Sequence, residues 1–203
     1  MFENRRAFLG GIAVAILGTA GCGGAPDEAE NGGAADTDSD DGPGDGDVEF
    51  AITSPAFGEA QTIPDRHTCA GANVSPGLVF EGIPLEAATL AIVADDPDAP
   101  SGTFTHWVIW NVGADRTDIP EGVEPTETVG ALEDAAQGTN DFGSIGYRGP
   151  CPPEDDDPHT YRFRAYALDS RLAIESGAER ETVESALDDV TLATDVLTGT
   201  FGR

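Results

Sequence analysis

The sequence predicts an all-β domain, an antiparallel β-sandwich with a few short peripheral helices. Three features from Phe50 onward support this prediction. Short apolar runs rich in β-branched and aromatic residues are bounded by proline and glycine, one segment alternates strictly between two faces, and a single segment has helical spacing. This pattern of short segments bounded by Pro and Gly is typical of packed sheets and argues against a helix bundle.

Residues 88–94 and 105–112 are predicted to be buried strands, because both are short apolar runs flanked by Pro and Gly. Residues 160–168 are predicted to be a half-buried strand. One face of this strand carries Tyr161, Phe163, Ala165 and Ala167, and the other carries Arg162, Arg164 and Tyr166.

Residues 182–194 are predicted to be a helix, since Val183, Leu187 and Val190 recur at helical spacing after an acidic start. Residues 196–201 are predicted to be a last strand. Residues 113–146 are rich in Gly, Thr, Asp and Glu with little periodicity, and we expect long surface loops there.

The first 21 residues are predicted to be a twin-arginine signal peptide. Arg5 and Arg6 precede an uncharged run that is too short to span a membrane and that ends at Cys22. Small residues before Cys22 resemble a lipoprotein processing site, although Thr19 stands where bacterial sites usually have Leu. We expect Cys22 to be lipidated, which would anchor the exported protein to the outer face of the cytoplasmic membrane; an ordinary cleaved signal is the alternative.

Residues 22–49 are predicted to be a disordered tether. From residue 23 they hold ten Asp or Glu and neither Lys nor Arg, and they lack the apolar surface that folding requires. Residues 50–203 then form one domain.

The chain is strongly acidic, with 38 acids, ten basic residues and a net charge of −28. All ten basic residues are arginine, and the domain at 50–203 alone holds 27 acids and 8 arginines, a net charge of −19. Molar salt shortens the screening length to about 3 Å and removes most of the self-repulsion. The composition therefore indicates a salt-loving source such as a haloarchaeon, and it argues against a nucleic-acid partner because no basic stripe is available.

Two clusters hold most of the site-like chemistry. The first runs from Asp96-Pro97-Asp98-Ala99-Pro100 into His106-Trp107, and the second from Gly149-Pro150-Cys151-Pro152-Pro153 into His159-Thr160-Tyr161. Each joins a proline-stiffened turn to an apolar strand, a stiff support for polar side chains. Histidine donors, a tyrosine hydroxyl and backbone N–H groups around Gly149 could hold an anion.

In this order the two clusters, with Asn73-Val74-Ser75-Pro76 near the start, resemble the phosphatidylethanolamine-binding protein family, in its prokaryotic Raf kinase inhibitor-like (YbhB/YbcL-type) branch. The resemblance covers residues 50–203. It implies a Greek-key order of strands and a small surface pocket for phosphate or a phosphorylated headgroup. Carried over by position, the ligand-binding residues are Asp96, Pro100, His106, Gly149, Cys151, His159 and Tyr161.

Asp96 and Asp98 stand oddly beside an anion. We expect one of them to accept a hydrogen bond from a histidine and to stabilise its protonated form. The plainer interpretation is that both carboxylates cap a turn. His67 lies outside both clusters and is assigned no function.

Cys69 and Cys151 remain once Cys22 is lipidated, and outside the membrane an even pair of cysteines can form a disulfide. Two free thiols are the alternative. No cofactor is expected, and no metal site, because tight His or Cys pair spacing is missing.

The predicted function is that of a non-catalytic anion-binding protein. A protein-interaction module that inhibits a kinase or a protease is the main alternative. A hydrolase that uses Cys151 with a neighbouring histidine is a third interpretation, but no nucleophile-elbow or oxyanion-hole motif is recognisable.

Overall fold

The computed structural model describes residues 48–203. The predicted signal peptide at 1–21, the lipidation site Cys22 and all but the last two residues of the tether lie outside the described residues. At the start of the domain Phe50 is buried.

The described residues form ten strands and one α-helix. In chain order the elements are β1 (Ala51–Thr53), β2 (Gln61–Thr62), β3 (Leu78–Glu81), β4 (Thr89–Asp96), β5 (Phe104–Gly113), β6 (Asp118–Ile119), β7 (Thr128–Val129), β8 (Ala135–Gln137), β9 (His159–Leu168), α1 (Arg180–Leu187) and β10 (Thr191–Phe201). Short 3₁₀ turns occur at Asp65–His67 and Gly130–Leu132. The fold is therefore mostly β with one helix, as the fold class predicted.

The strands make two sheets. The larger has seven strands in the order β2-β10-β9-β4-β5-β8-β7, and the smaller has the order β1-β3-β6. All pairs are antiparallel except β2 with β10, which is parallel, so the expectation of wholly antiparallel sheets needs this correction. The parallel pair spans two residues, where a short segment runs beside the end of the longest strand.

A shared core lies between the two sheets. Ile52 and Phe80 from the smaller sheet join one apolar cluster with Ile92, Trp107 and Phe163 from the larger. At about 25 cal/mol per Å² of apolar surface, burial of this kind is the main stabilising contribution to the fold.

A second core lies under α1, on the other face of the larger sheet. Val93 of β4 and Trp110 of β5 pack there with Val183 and Leu187 of the helix. Because β4 is covered on both faces, its middle, residues 90–94, is a continuous apolar run and does not alternate.

The predicted strands are confirmed at 88–94, 105–112 and 160–168, within one or two residues at each end. In β9 the alternation is as predicted, with the Tyr161 side buried and the Arg162 side half-exposed.

The predicted helix at 182–194 is wrong in its second half. α1 ends at Leu187, and Thr191–Phe201 is strand β10, which begins five residues before the predicted 196. Val190 continues the helical spacing, but the β-branched residues that follow pair with β9 over its full length, and this pairing overrides the local pattern.

The predicted loop region at 113–146 is also wrong in part, because it contains β6, β7 and β8. These strands have two or three residues each. They are too short to leave a period in the sequence.

Candidate functional site

A cavity of about 260 Å³ lies where β4 ends and where β5 and β9 begin. Its polar lining consists of Asp96, Ser101, His106, Cys151 and His159. Its apolar lining consists of Ala99, Pro100, Phe104, Phe142, Pro152 and Pro153. The two sequence clusters, about fifty residues apart along the chain, thus meet at one site.

The carboxylates of the Asp96-Pro97-Asp98 turn make one hydrogen bond within the turn and one to the start of β9. Asp96 accepts a hydrogen bond from the backbone N–H of Asp98 at 2.9 Å, and Asp98 accepts one from the N–H of Thr160 at 2.8 Å. The turn-capping interpretation therefore describes part of what these residues do. It leaves the second oxygen of Asp96 free for a different partner.

That partner is His159. Its Nδ1 lies 2.8 Å from Oδ2 of Asp96, and the side chains are only 7% and 5% exposed. Burial lowers the pKa of His159, but the hydrogen bond and the charge of Asp96, with smaller contributions from Asp156 and Asp98, outweigh it and raise the pKa above the usual histidine value.

The pKa of His106 is shifted in the opposite direction. Burial lowers its pKa, and the hydrogen bond to Arg148 and the charge of Asp96 only partly offset this. Nδ1 lies 2.6 Å from the carbonyl oxygen of Arg148, and because a carbonyl can only accept, Nδ1 carries the proton. In the neutral ring Nε2 is then an acceptor, so His106 presents a lone pair where the sequence suggested a donor.

Tyr161 lies beside both imidazoles and does not line the cavity. Its ring centroid is 5.2 Å from that of His106 and 6.4 Å from that of His159. Burial and the charges of Asp96 and Asp98 raise its pKa, so the hydroxyl is neutral. The hydroxyl is buried, and no partner lies at normal hydrogen-bond distance among residues 48–203, but a weaker contact with the Asp96 carboxylate also raises its pKa.

Gly149 also lies outside the cavity lining. We expected its N–H to be available to an anion, but it is already used in a hydrogen bond. It donates to Oδ1 of Asn73 at 2.8 Å. A Cβ on Gly149 would lie 2.0 Å from the carbonyl oxygen of His67, so the backbone approach itself requires glycine. Gly149 therefore fixes the backbone just before residues 150–153, which we call the rim of the cavity, and does not line the cavity itself.

Cys69 and Cys151 form a disulfide in the structure, with Cα atoms 5.3 Å apart and a separation of 82 positions along the chain. Both residues are exposed, and Cys151 lines the cavity. The backbone N–H of Cys69 also donates to the carbonyl oxygen of Pro150 at 3.0 Å. In this state Cys151 carries no thiol.

His67 holds the loop that faces the rim. Its buried ring lies 2.9 Å from the carbonyl oxygen of Val74, and its own carbonyl oxygen accepts a hydrogen bond from the Tyr147 hydroxyl at 2.7 Å. These contacts are structural and lie outside the cavity lining.

Sequence reasoning missed Ser101, Phe104 and Phe142 as lining residues. Phe142 was the easiest to find, since it is a lone aromatic residue within the small and polar segment 139–144, and the structure leaves it 37% exposed. The guanidinium of Arg148 lies 4.7 Å from the centroid of its ring, which brings a cation to the edge of the site.

Within residues 48–203, no group of three His, Cys, Asp or Glu side chains could hold a metal ion. The same residues contain no helix with the length and apolar character that crossing a bilayer requires.

Comparisons with known proteins give a consistent result. Residues 53–202 match the family described as "Phosphatidylethanolamine-binding protein". A UPF0098 protein of Methanothermobacter thermautotrophicus is 47% identical over 153 residues, which covers 75% of this chain and 98% of that protein. A UPF0098 protein of Pyrococcus abyssi is 43% identical over 160 residues, which covers 79% of this chain and 89% of that protein.

Among solved structures, Escherichia coli YbcL, described as a new member of the mammalian PEBP family, superimposes with a TM-score of 0.72. It is 31% identical in sequence, and the match covers 77% of this chain and 99% of that one.

Proposed function

The chain belongs to the phosphatidylethanolamine-binding protein family, and on that premise we propose that it binds a small anion, inorganic phosphate or a phosphorylated headgroup, in the cavity lined by Asp96, His106 and His159. The two histidines that line the cavity, one of them hydrogen-bonded to Asp96, support the same proposal on chemical grounds. The cavity of about 260 Å³ suits a group of this size.

One observation carries the proposal: the hydrogen bond of 2.8 Å between Asp96 and Nδ1 of His159. The carboxylate fixes the orientation of the ring and favours its protonated form, so that Nε2–H becomes a charged donor at the cavity wall. Oδ2 of Asp156 is the nearest competitor at 3.7 Å, beyond hydrogen-bond distance, and its side chain is 41% exposed. An anion can therefore displace Asp156 at little cost.

His106 adds selectivity. Because its Nδ1–H is held by the Arg148 carbonyl, neutral His106 offers the acceptor Nε2. A ligand that meets both histidines needs an anionic oxygen for His159 and a hydroxyl for His106. Hydrogen phosphate has both and sulfate at neutral pH has only the first, so we expect phosphate to bind more tightly than sulfate.

The affinity should be modest, since neither lysine nor metal contributes to the site. We expect a dissociation constant between micromolar and millimolar, about −4 to −8 kcal/mol.

Isothermal titration of the full chain with phosphate in molar KCl tests the proposal. Binding should be measurable at about pH 6 and should weaken as His159 loses its proton at higher pH. His159→Gln should abolish binding, whereas His67→Gln, which changes a buried histidine outside the cavity, should retain it once unfolding curves show that the variant is folded. Equal binding by wild type and His159→Gln would refute the proposal.

We also propose that the protein is exported and anchored to the outer face of the cytoplasmic membrane through a lipid on Cys22. The support is the sequence alone, from the paired arginines to the small residues before Cys22. Mass spectrometry of the native protein would detect the lipid, and Cys22→Ser should release the protein from the membrane fraction. A cleaved, unlipidated protein would favour the ordinary signal peptide.

A further inference from the structure

The Cys69–Cys151 disulfide lies at the cavity rim with its two ends in different surroundings. Cys151 lines the cavity and Cys69 does not, although both are exposed. Cys151 is therefore the end of the disulfide next to a molecule in the cavity, and the exposed Cys69 is the end outside it.

We propose that this disulfide is an exchange site at which a small anionic thiol, held in the cavity by its negative group, forms a mixed disulfide with Cys151. The inference rests on the proposed anion pocket and names a covalent ligand class for it. The relevant compounds are thiols that carry a carboxylate, sulfonate or phosphate a few bonds from the sulfur.

The exchange balances without any further reactant. The thiolate of the ligand attacks Sγ of Cys151 and forms the new S–S bond, while the bond between Cys151 and Cys69 breaks. The electron pair leaves with Cys69 as a thiolate, which takes a proton from water. Attack by Cys69 on the mixed disulfide reverses the reaction and releases the thiol.

The rim is held in place by contacts that do not depend on the disulfide. The N–H of Cys69 donates to the Pro150 carbonyl at 3.0 Å, and Gly149 donates to Asn73 at 2.8 Å. Beyond the disulfide, Nε of Arg203 donates to the carbonyl oxygen of Pro152 at 2.7 Å. Opening the bond therefore leaves the cavity in place for a tethered ligand.

Charge makes the proposal testable, because the domain as a whole should repel an anionic thiol. At low salt its net charge of −19 would favour the neutral thiol at any exposed disulfide, and in molar KCl, which screens this long-range repulsion, the two thiols should react there at equal rates. At this disulfide, protonated His159 in the same cavity is close enough to act despite the salt and should favour the anionic thiol.

The experiment compares 2-mercaptoethanesulfonate with 2-mercaptoethanol at equal thiolate concentration, on the full chain in molar KCl. Whole-protein mass and peptide maps follow adducts on Cys151 and Cys69, with any adduct on Cys22 counted separately. We expect the adduct on Cys151, formed about fivefold faster by the sulfonate, which corresponds to about 1 kcal/mol. Excess phosphate should lower the rate of adduct formation by 2-mercaptoethanesulfonate and leave the rate with 2-mercaptoethanol unchanged.

Two variants serve as test and control. His159→Gln should bring the ratio of the two rates to one or below. Arg66→Gln, which removes an exposed positive charge beside the Cys69 loop and outside the cavity, should keep the wild-type ratio. If His159→Gln fails to fold, competition by phosphate in the wild type still tests the exchange site, because phosphate should slow the reaction with the sulfonate thiol alone.

Adducts confined to Cys69, or a neutral thiol as fast as the anionic one, would overturn the exchange site. If phosphate nevertheless binds in the calorimetric titration, the anion pocket stands and the exchange site alone is wrong. Absence of phosphate binding overturns the pocket and the exchange site with it.

Discussion

At the scale of single residues, the pKa values of the two cavity histidines are shifted in opposite directions, and their Nδ1 atoms have different partners. Asp96 is an anion and favours the imidazolium of His159, whereas the Arg148 carbonyl is neutral and cannot offset the burial of His106. Within one cavity, His159 is thus the histidine that favours the charged, donating form, and His106 is the one that favours the neutral form with an acceptor Nε2.

Asp96→Asn should separate the effect of the Asp96 charge on the pKa of His159 from the effect of burial on the pKa of His106. The variant keeps an acceptor for the Asp98 N–H but removes the charge that stabilises protonated His159. In histidine NMR titrations we expect the pKa of His159 to lie above the usual value of about 6.5 in the wild type and to fall in the variant. The pKa of His106 should lie below that value in both proteins, since burial lowers it.

The same substitution has a predictable effect on stability. The pKa of His159 is raised by folding, so its contribution is fully present below the unfolded-state value of about 6.5 and is lost as pH rises through the folded-state value. The free energy of unfolding lost in Asp96→Asn should therefore be larger near pH 6 than near pH 9 in chemical denaturation. Asp118→Asn, on β6 outside the cavity, should show no such pH dependence, and an equal loss at both pH values would contradict the linkage.

Among the site residues, the sequence predicted those whose position depends on local chemistry. The stiff Asp-Pro-Asp turn and the strand that starts at His159 were recognisable, and the structure brings Asp96, Pro100, His106, Cys151 and His159 together at the cavity. The pairing of the Gly149 N–H with Asn73 was not predictable, because it joins residues 76 positions apart. The proton on Nδ1 of His106 likewise depends on a carbonyl 42 residues away.

At the scale of secondary-structure elements, the end of β4 connects the cavity to α1. Asp95 and Asp96 are neighbours, yet Asp96 binds His159 while Asp95, fully buried, binds Arg162 and Arg164 of β9. Arg164 in turn contacts Glu184 of α1 at 3.1 Å. Arg162 and Arg164, on the half-exposed face of β9, are therefore partners of a buried carboxylate.

Asp95→Ala should be strongly destabilising, because it leaves Arg162, Arg164 and Arg180 without the anion between them. Removing one partner of a buried ion pair costs about 3–5 kcal/mol of unfolding free energy. Denaturant titration in molar KCl checks the value, with Asp115→Asn at an exposed turn as the control. A loss below about 1 kcal/mol, the range of exposed pairs, would mean that solvent compensates the arginines.

The same scale explains which elements could be predicted. β9 alternates in sequence because only one of its faces is buried. β4 contains an apolar run because both of its faces are buried. The end of α1 at Leu187 could not be predicted, because only the distant strand β9 decides that Thr191 and its successors form a strand. Long-range pairing of this kind leaves no local signal.

At the scale of the whole molecule, the domain concentrates its cations. Three of the eight arginines in residues 50–203 surround Asp95, so most of the remaining acidic surface has no cation beside it. Stability should then depend on the ions of the solvent more than on ion pairs within the protein.

We therefore expect the melting temperature of the full chain to rise steeply between 0.1 M and 2 M KCl. The screening length falls from about 10 Å to below about 3 Å over this range, so like charges on neighbouring side chains cease to repel. Scanning calorimetry at several KCl concentrations measures the rise, and sucrose provides the control, because an excluded osmolyte strengthens burial without screening charge. If sucrose stabilised the protein as much as KCl does, or if KCl had no effect, charge repulsion would not be what limits the stability of this domain.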